Sequence, residues 1–299
     1  MPRTSTGSSS HPDRGKVRRG PSHVPGNAGE VAAALEGLDL TPHRSRGQSF
    51  LTDPFVADAE AALVGTAPGE PVLEVGGGLG LLTQALLRRG LGPLTVIEKE
   101  PRLAAFLRYH FEDRIQVVEG DALTGPVPDV RAAVGNLPFA IATPLLLRWF
   151  QGTVPRVVAL VQKEVGDRLA AGPGSRVYGR ISILAALYGT VECHQTVPAS
   201  AFYPVPRVDG RLILFERRRE AWPIRSVPML ETVLEALFAG RRKQLGNLLP
   251  GALLRLRERP PATQVARAAE WPTGWERLRP EAIAPEAYFR LVSALEGPA

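Results

Sequence analysis

The stretch PVLEVGGGLGLLTQALLRR (71–89) decides the fold. It opens with a short apolar run, turns on three glycines, and closes with leucines spaced as on one side of a helix. Strand, glycine turn and helix in immediate succession form the opening unit of an α/β sheet. The rhythm continues toward the C-terminus. PLTVIE (93–98) predicts a strand, PRLAAFLRYHF (101–111) a helix, and IQVVEGD (115–121) and VRAAVGN (130–136) two more strands. VVALVQ (157–162) predicts a fifth strand, leading into the helix EVGDRLAA (164–171). TVECHQTV (190–197) and GRLILFER (210–217) are two further strands, joined by the proline-rich PASAFYPVPRV (198–208) with no full helix between them. That connection implies an antiparallel edge on a mostly parallel sheet of seven strands, wrapped by helices on both faces.

Beyond the sheet the pattern changes on both sides. Residues 1–28, with repeated Ser, Pro and Gly and with Arg3, Arg14, Lys16, Arg18 and Arg19, predict a disordered basic leader. After Arg219 the strand signals stop, and MLETVLEALFAGRRKQLGNLL (229–249), LLRLRER (253–259), TQVARAAEW (263–271) and PEAYFRLVSALE (285–296) carry apolar residues at helical spacing. The expected organisation is therefore a leader over 1–28, a sheet domain over 29–218 and a small all-helical domain over 219–299.

Composition bounds the function. Of 299 residues, 36 are Lys or Arg and 30 are Asp or Glu, a formal charge of +6. That balance fits a polyanionic partner such as nucleic acid, and fits plain solubility equally well. Hydrophobic residues make up 44% of the chain, enough for a sizeable core. A single cysteine, Cys193, excludes an internal disulfide framework and a Cys-rich zinc module, and is expected to be a buried small apolar residue. The histidines have no metal-ligand spacing, so no metal is expected. No apolar run approaches the ~18 residues of a membrane span, and the basic N-terminus lacks the apolar block of a secretory signal. A cytosolic protein without membrane attachment is the expectation.

The glycine spacing narrows the ligand. A dinucleotide fingerprint would want glycines at 76, 78 and 81, but position 81 is leucine. Gly76, Gly78 and Gly80 instead give the G-x-G-x-G spacing of S-adenosylmethionine-dependent methyltransferases, whose sheets are Rossmann-like. Glu98 ends the next strand, where a carboxylate can accept both ribose hydroxyls. Asp121 closes the third strand segment, where one can accept from an adenine amino group. Each acid alone could be a solvated cap; together with the glycines, at successive strand ends, they mark a cofactor site. Asn136, Leu137, Pro138 and Phe139 end the fourth strand. In isolation they are an ordinary turn. Beside a methyl donor they suit the exocyclic N6 of adenine: the Asn136 side-chain oxygen and the Leu137 carbonyl accept its two hydrogens, and Phe139 stacks on a base extruded from its neighbours.

Taken together the chain resembles the small-subunit ribosomal RNA adenine dimethyltransferases, over roughly residues 44–250. The motifs that carry the resemblance are RGQSFLTD (46–53), LEVGGGLGLLT (73–83), NLPF (136–139), QKEV (162–165), YGR (178–180), AFYPVPRVDG (201–210) and RRKQLGNLL (241–249), in family order. The resemblance implies N6,N6-dimethylation of two adjacent adenosines in the 3′-terminal hairpin loop of small-subunit (16S) rRNA, within a pre-30S particle, by a monomer. It implies that Gln48, Ser49 and Leu51 border the cofactor, and that Gly76, Gly78, Glu98, Asp121 and Asn136 contact it. Phe202 would clamp the target base opposite Phe139. Arg207 matches a basic position of the aromatic and proline motif. Arg241, Arg242 and Lys243, on a helix, would meet phosphates. Five positions depart from the family pattern, Arg207 for lysine and Gly210 for serine being the mild ones. Ser49 stands for asparagine, Phe139 for tyrosine, and Gly77 for proline, the last implying a looser loop.

Rival readings share parts of this pattern. A resistance methyltransferase acting on an adenine of large-subunit rRNA has the same fold and chemistry. A non-catalytic rRNA-binding assembly factor would not need Glu98, Asp121 and Asn136. A DNA adenine methyltransferase would need a sequence-reading domain that nothing here resembles.

Overall fold

A computed structural model of the chain describes residues 23–42, 48–248 and 274–296. The predicted leader up to residue 22, Arg46 and Gly47 of the first motif, and the predicted helices at 253–259 and 263–271 lie outside the described residues.

Seven strands form the main sheet: β2 (Val72–Val75), β3 (Leu94–Glu98), β4 (Gln116–Glu119), β5 (Ala132–Asn136), β6 (Arg156–Gln162), β7 (Gly189–Val197) and β9 (Gly210–Arg217). Their spatial order is β4-β3-β2-β5-β6-β9-β7. Pairings from β4 through β6 are parallel, whereas β9 runs antiparallel to both β6 and β7. The antiparallel strand thus lies one place in from the edge that β7 forms. The chain reverses direction at β2, which pairs with β3 on one side and β5 on the other. A sheet of this kind receives ligands at such a switch point, outside the carboxyl ends of the strands.

The two-residue side-chain period of the strands splits the core in two. Val72, Val134, Val158 and Leu160 face α2 (Pro54–Val64), α3 (Leu81–Arg88) and α4 (Pro101–Phe111). Leu73, Ala133, Val157 and Ala159 face α5 (Ala142–Gln151) and α6 (Lys163–Leu169). Burial on both faces explains why β6 is a continuous apolar run from Val157 to Val161 and why β2, buried throughout, is apolar but for Glu74. On the second face Phe150 of α5 stacks on Phe215 of β9 at 4.1 Å between ring centres. A separate two-stranded antiparallel ribbon pairs β1 (Phe50–Leu51) with β8 (Phe202–Tyr203).

Two boundaries differ from expectation. Helix α1 (Ala28–Gly37) starts within the predicted leader, capped by the Asn27 side chain accepting from the Glu30 amide, and Val24 joins the main core. The helical module also reaches back into the sheet domain. Helices α8 (Val227–Phe238) and α9 (Pro285–Glu296) share one core with Ile183, Leu184 and Leu187 of α7 (Arg180–Tyr188). Trp275 and Trp222 pack there too, Trp222 against Phe289. Cys193, expected inside, is exposed on edge strand β7. Most of β7 is exposed or half-buried from Thr190 to Thr196, so little packs over either of its side-chain rows.

Candidate active site

At the carboxyl ends of β2, β3 and β5 the chain leaves a cleft that is open to solvent on one side. Gln48, Ser49, Phe50 and Leu51 form one wall, the glycine turn another, and Glu98, Asn136 and Pro138 close it. Gly76 and Gly78 take φ of +78° and +54°, the left-handed region that glycine enters without penalty. No side chain caps α3 at Gly80, so the amides of its first turn remain for a ligand carboxylate or water.

Gly77 behaves differently from the loose hinge expected of it. A Cβ there would stand 2.5 Å from Val96 Cγ1 and 2.8 Å from Leu107 Cδ1. The position is a close contact between the turn, β3 and α4, and it tolerates no larger residue without rearrangement.

The glycine turn and Glu98 hold each other. Glu98 Oε2 accepts from the Gly78 amide and Oε1 from the Glu100 amide, both at 2.9 Å. Burial pushes the Glu98 carboxyl above the usual carboxylate range, and these amide bonds pull it back toward the ionised form. Each oxygen keeps a lone pair for a hydroxyl on the cleft side. Asp121 is not among the cleft-lining residues. It sits beyond the end of β4, accepting from Lys99 Nζ at 2.8 Å and from the Leu123 amide at 2.9 Å, and the Lys99 bond holds its carboxyl low.

Asn136 is the last residue of β5, and the turn that follows is fixed by backbone bonds: Leu137 N–H donates to the Leu160 carbonyl, and Ile141 N–H to that of Pro138. The Leu137 side chain is buried in the core, while Phe139 is half-buried on the turn. Phe202 differs from its expected role. Its ring is 3% exposed and belongs to the main core beneath the β1–β8 ribbon, so packing holds it where the clamp reading wanted an open face.

Residues that sequence reasoning did not single out complete the cleft. Phe50, Leu79 and Leu103 supply apolar surface, and Glu74 lies beneath it. Glu74 is 1% exposed, accepts from the Thr83 hydroxyl at 2.7 Å, and has its pKa pushed up to about 8 by burial. Glu60 of α2 is fully buried, and burial together with the Glu74 charge raises its pKa well above the usual value. Val56, Ala57, Ala61 and Val64 form a buried stripe of α2 on which Glu60 is the charged member.

The basic residues divide. Arg241, Arg242 and Lys243 occupy the turn after α8 rather than a helix. Arg241 is bound inward, its Nε donating to Glu281 at 2.7 Å and its guanidinium to the Ser175 and Arg176 carbonyls. Arg242 and Lys243 remain exposed. The bonds of Arg241 bring that turn against the 172–179 loop, whose Val177 lines a second depression with Lys163 and the exposed Arg207. Arg207 and the 242–243 cations are thereby linked through one loop.

The composite of glycine turn, ribose-height carboxylate and Asn-Leu-Pro-Phe turn fits an S-adenosylmethionine site, and the comparisons with known proteins agree. Residues 40–268 match the profile of the family described as "Ribosomal RNA adenine dimethylase". "Ribosomal RNA small subunit methyltransferase A" of Photorhabdus laumondii is 38% identical over 215 residues, 68% of this chain and 79% of that protein. The protein of the same name from Corynebacterium diphtheriae is 36% identical over 240 residues, 74% of this chain and 81% of its own. Among solved structures, a dimethyladenosine transferase from Plasmodium falciparum superposes with a TM-score of 0.70, at 22% identity, over 81% of this chain and 95% of that one. The 23S rRNA methyltransferase ErmE gives 0.60 at 26% identity, over 83% and 99%. This chain belongs to the ribosomal RNA adenine dimethylase family.

Proposed function

We propose that this rRNA adenine dimethyltransferase acts on two adjacent adenosines in the 3′-terminal hairpin loop of small-subunit rRNA, within a pre-30S particle in the cytoplasm, as a monomer. The observation that carries the chemistry is the placement of Asn136 and Pro138 on the same cleft as Gly76, Gly78 and Glu98. S-adenosylmethionine, when bound, supplies an electrophilic methyl carbon on a sulfonium. Glu98 accepts from the ribose hydroxyls, and Phe50, Leu79 and Leu103 cover apolar surface of the ligand. Asn136 Oδ1 and the Leu137 carbonyl accept the two hydrogens of the adenine amine. That draws its lone pair out of the ring and toward the methyl carbon. Phe139 stacks on the extruded base. As the nitrogen–carbon bond forms, the methyl carbon–sulfur bond would break with its electron pair returning to sulfur, leaving S-adenosylhomocysteine; the resulting ammonium is acidic enough to lose its proton to water, so no strong base is needed. Catalysis is positioning and desolvation.

Similarity to proteins named for the small subunit, at 36–38% identity, favours that substrate over the large-subunit rRNA of ErmE, at 26%. Exposed Arg207, Arg242 and Lys243 support an RNA-facing surface. Mass mapping of rRNA from cells lacking the gene tests the reading. Two unmodified adenines near the 3′ end of small-subunit rRNA, restored by the gene, are expected. Fully modified adenines there would overturn it.

A further inference from the structure

Glu60 lies on the inward stripe of α2 and is wholly inaccessible to solvent. A carboxyl at such a position costs stability that an apolar side chain would not, and its partner shows what it gives in return. Oxygen and nitrogen of an amide are told apart by their neighbours. With its nitrogen toward α2, the Asn136 amide donates to Glu60 Oε1 at 2.6 Å and Oε2 at 3.2 Å; the reverse orientation would press its oxygen against two carboxylate oxygens. We infer that Glu60 is a positioning residue, whose carboxylate holds the Asn136 amide with Oδ1 turned toward the adenine amine. The inference rests on the proposed role of Asn136 and adds what fixes that side chain's orientation.

The logic depends on one proton. An ionised Glu60 can only accept, so it takes the amide nitrogen and leaves the oxygen for the substrate. A protonated Glu60 carries a donor and is equally satisfied by the amide oxygen. The amide then presents its N–H groups to an amine that itself needs acceptors. The protonation state of Glu60 therefore selects which end of Asn136 meets the base.

The surroundings of Glu60 contain no competing cation partner among the described residues. From β2 comes Glu74, whose charge acts on it, and Glu98 of β3 acts in turn on Glu74. From α3 comes Thr83, which is bonded to Glu74 at 2.7 Å, and at the rim Arg88, which pairs with Asp58 of α2 at 2.7 Å. From β6 comes Arg156, whose Nε donates to the Leu63 carbonyl at 3.1 Å and whose NH1 pairs with Glu216 at 3.2 Å. Burial and Glu74 favour the protonated acid, and the Asn136 bonds favour the carboxylate.

The test is single-turnover methylation of small-subunit particles, with donor and particle saturating, across pH 5.5 to 9. Wild type, Glu60→Gln, Glu60→Leu and Glu74→Gln are compared. The wild-type rate is expected to rise with pH along an acid limb. Glu60→Gln, which still accepts from Asn136 but cannot ionise, loses that limb. Glu60→Leu loses it as well, and its plateau rate falls about tenfold to a hundredfold with the charged hydrogen bond. Its melting temperature stays level or rises and its donor affinity is unchanged, which a merely structural role would not produce. Glu74→Gln keeps the limb and, where the limb reaches the pH near 8 at which Glu74 itself ionises, moves it to lower pH because a like charge is removed. An unaltered limb in Glu60→Gln, a wild-type plateau in Glu60→Leu, or a limb that vanishes only in Glu74→Gln overturns the inference. Should Glu60→Leu not fold, Glu60→Gln alone decides. Wild-type protein that transfers no methyl to rRNA defeats the proposed function and this inference together, whereas wild-type turnover with indifferent Glu60 variants defeats the inference only.

Discussion

Beside the cleft, Glu60, Glu74 and Glu98 are all nearly inaccessible, at 0%, 1% and 7% exposure, and none of them has a cationic partner among the described residues. In the helical module the buried Tyr178 and Tyr288 hydroxyls donate to the Ile283 and Pro280 carbonyls at 2.9 and 2.7 Å, while the Trp222 indole N–H is buried without a partner among the described residues. Among the described residues of that module the buried carboxylate is Glu296, which accepts from the Arg225 and Ser226 amides and pairs with the Arg225 guanidinium. Satisfied neutral donors add rigidity at little cost, whereas a group of carboxyls crowded into one pocket is tolerated at the expense of stability. Buried polarity is structural in one region and chemical in the other. Site residues are therefore expected to change turnover with little loss of stability, and module residues the reverse.

The sharpest way to break that contrast is Asn136→Ala. Methylation is expected to fall by at least about 10²–10³, with donor affinity and melting temperature near wild type, because one acceptor at the reacting nitrogen is gone. Substantial turnover in steady-state assays would show that the residue is only a turn former. On the other side, Phe289→Ala should remove about 3–5 kcal/mol from the unfolding free energy measured in denaturant, by opening a cavity between α8, α9 and Trp222. Its activity per folded molecule should change little.

Glu74 sharpens the comparison through pH. A carboxyl whose folded pKa is raised to about 8 contributes stability that is fully present below its unfolded value of 4.5 and lost as pH rises through about 8. Melting temperatures should therefore decline from mildly acidic to mildly alkaline pH, and Glu74→Gln should flatten part of that decline. A variant with the wild-type slope would mean that Glu74 does not hold a proton in the folded state. The smallest effect is expected at the surface. Replacing Arg242 and Lys243 by Gln should leave stability unchanged and lower the salt slope of rRNA binding by about one per cation. Arg241→Gln should act instead through its lost bond to Glu281.

The sheet was legible because its signals are local. Apolar runs, glycine turns and strand-end acids recur within a few residues, and each predicted strand overlaps an observed one. Helices α1, α2, α5 and α7 were not legible. In α1 and α2 alanine supplies much of the inward stripe and gives little hydrophobic contrast. In α7 the apolar residues run nearly all round a helix shared by two cores. Of the candidate cleft, Gly76 and Gly78 were legible because a left-handed turn dictates glycine, and Asn136 and Pro138 because they follow a strand signal directly. The site was not legible where tertiary packing decides. Phe202 matches an aromatic motif, yet the ribbon formed with Phe50 and Leu51 places its ring inside. Arg241 reads as one of three equivalent cations until the fold sets Glu281 beside it. Glu60 and Asn136 meet only because α2 packs across β5, a contact between residues far apart in the chain.

Everything turns on whether the strand-end cleft delivers methyl groups to the amines of neighbouring adenines in the small subunit. Purified small and large ribosomal subunits from cells lacking the gene, incubated separately with this protein and isotopically labelled S-adenosylmethionine, give a direct answer by mass spectrometry of the rRNA fragments. The account predicts label on the small subunit alone, as two methyl groups on each of two adjacent adenosines near the 3′ end. Label confined to large-subunit rRNA, or none on either particle, would contradict it.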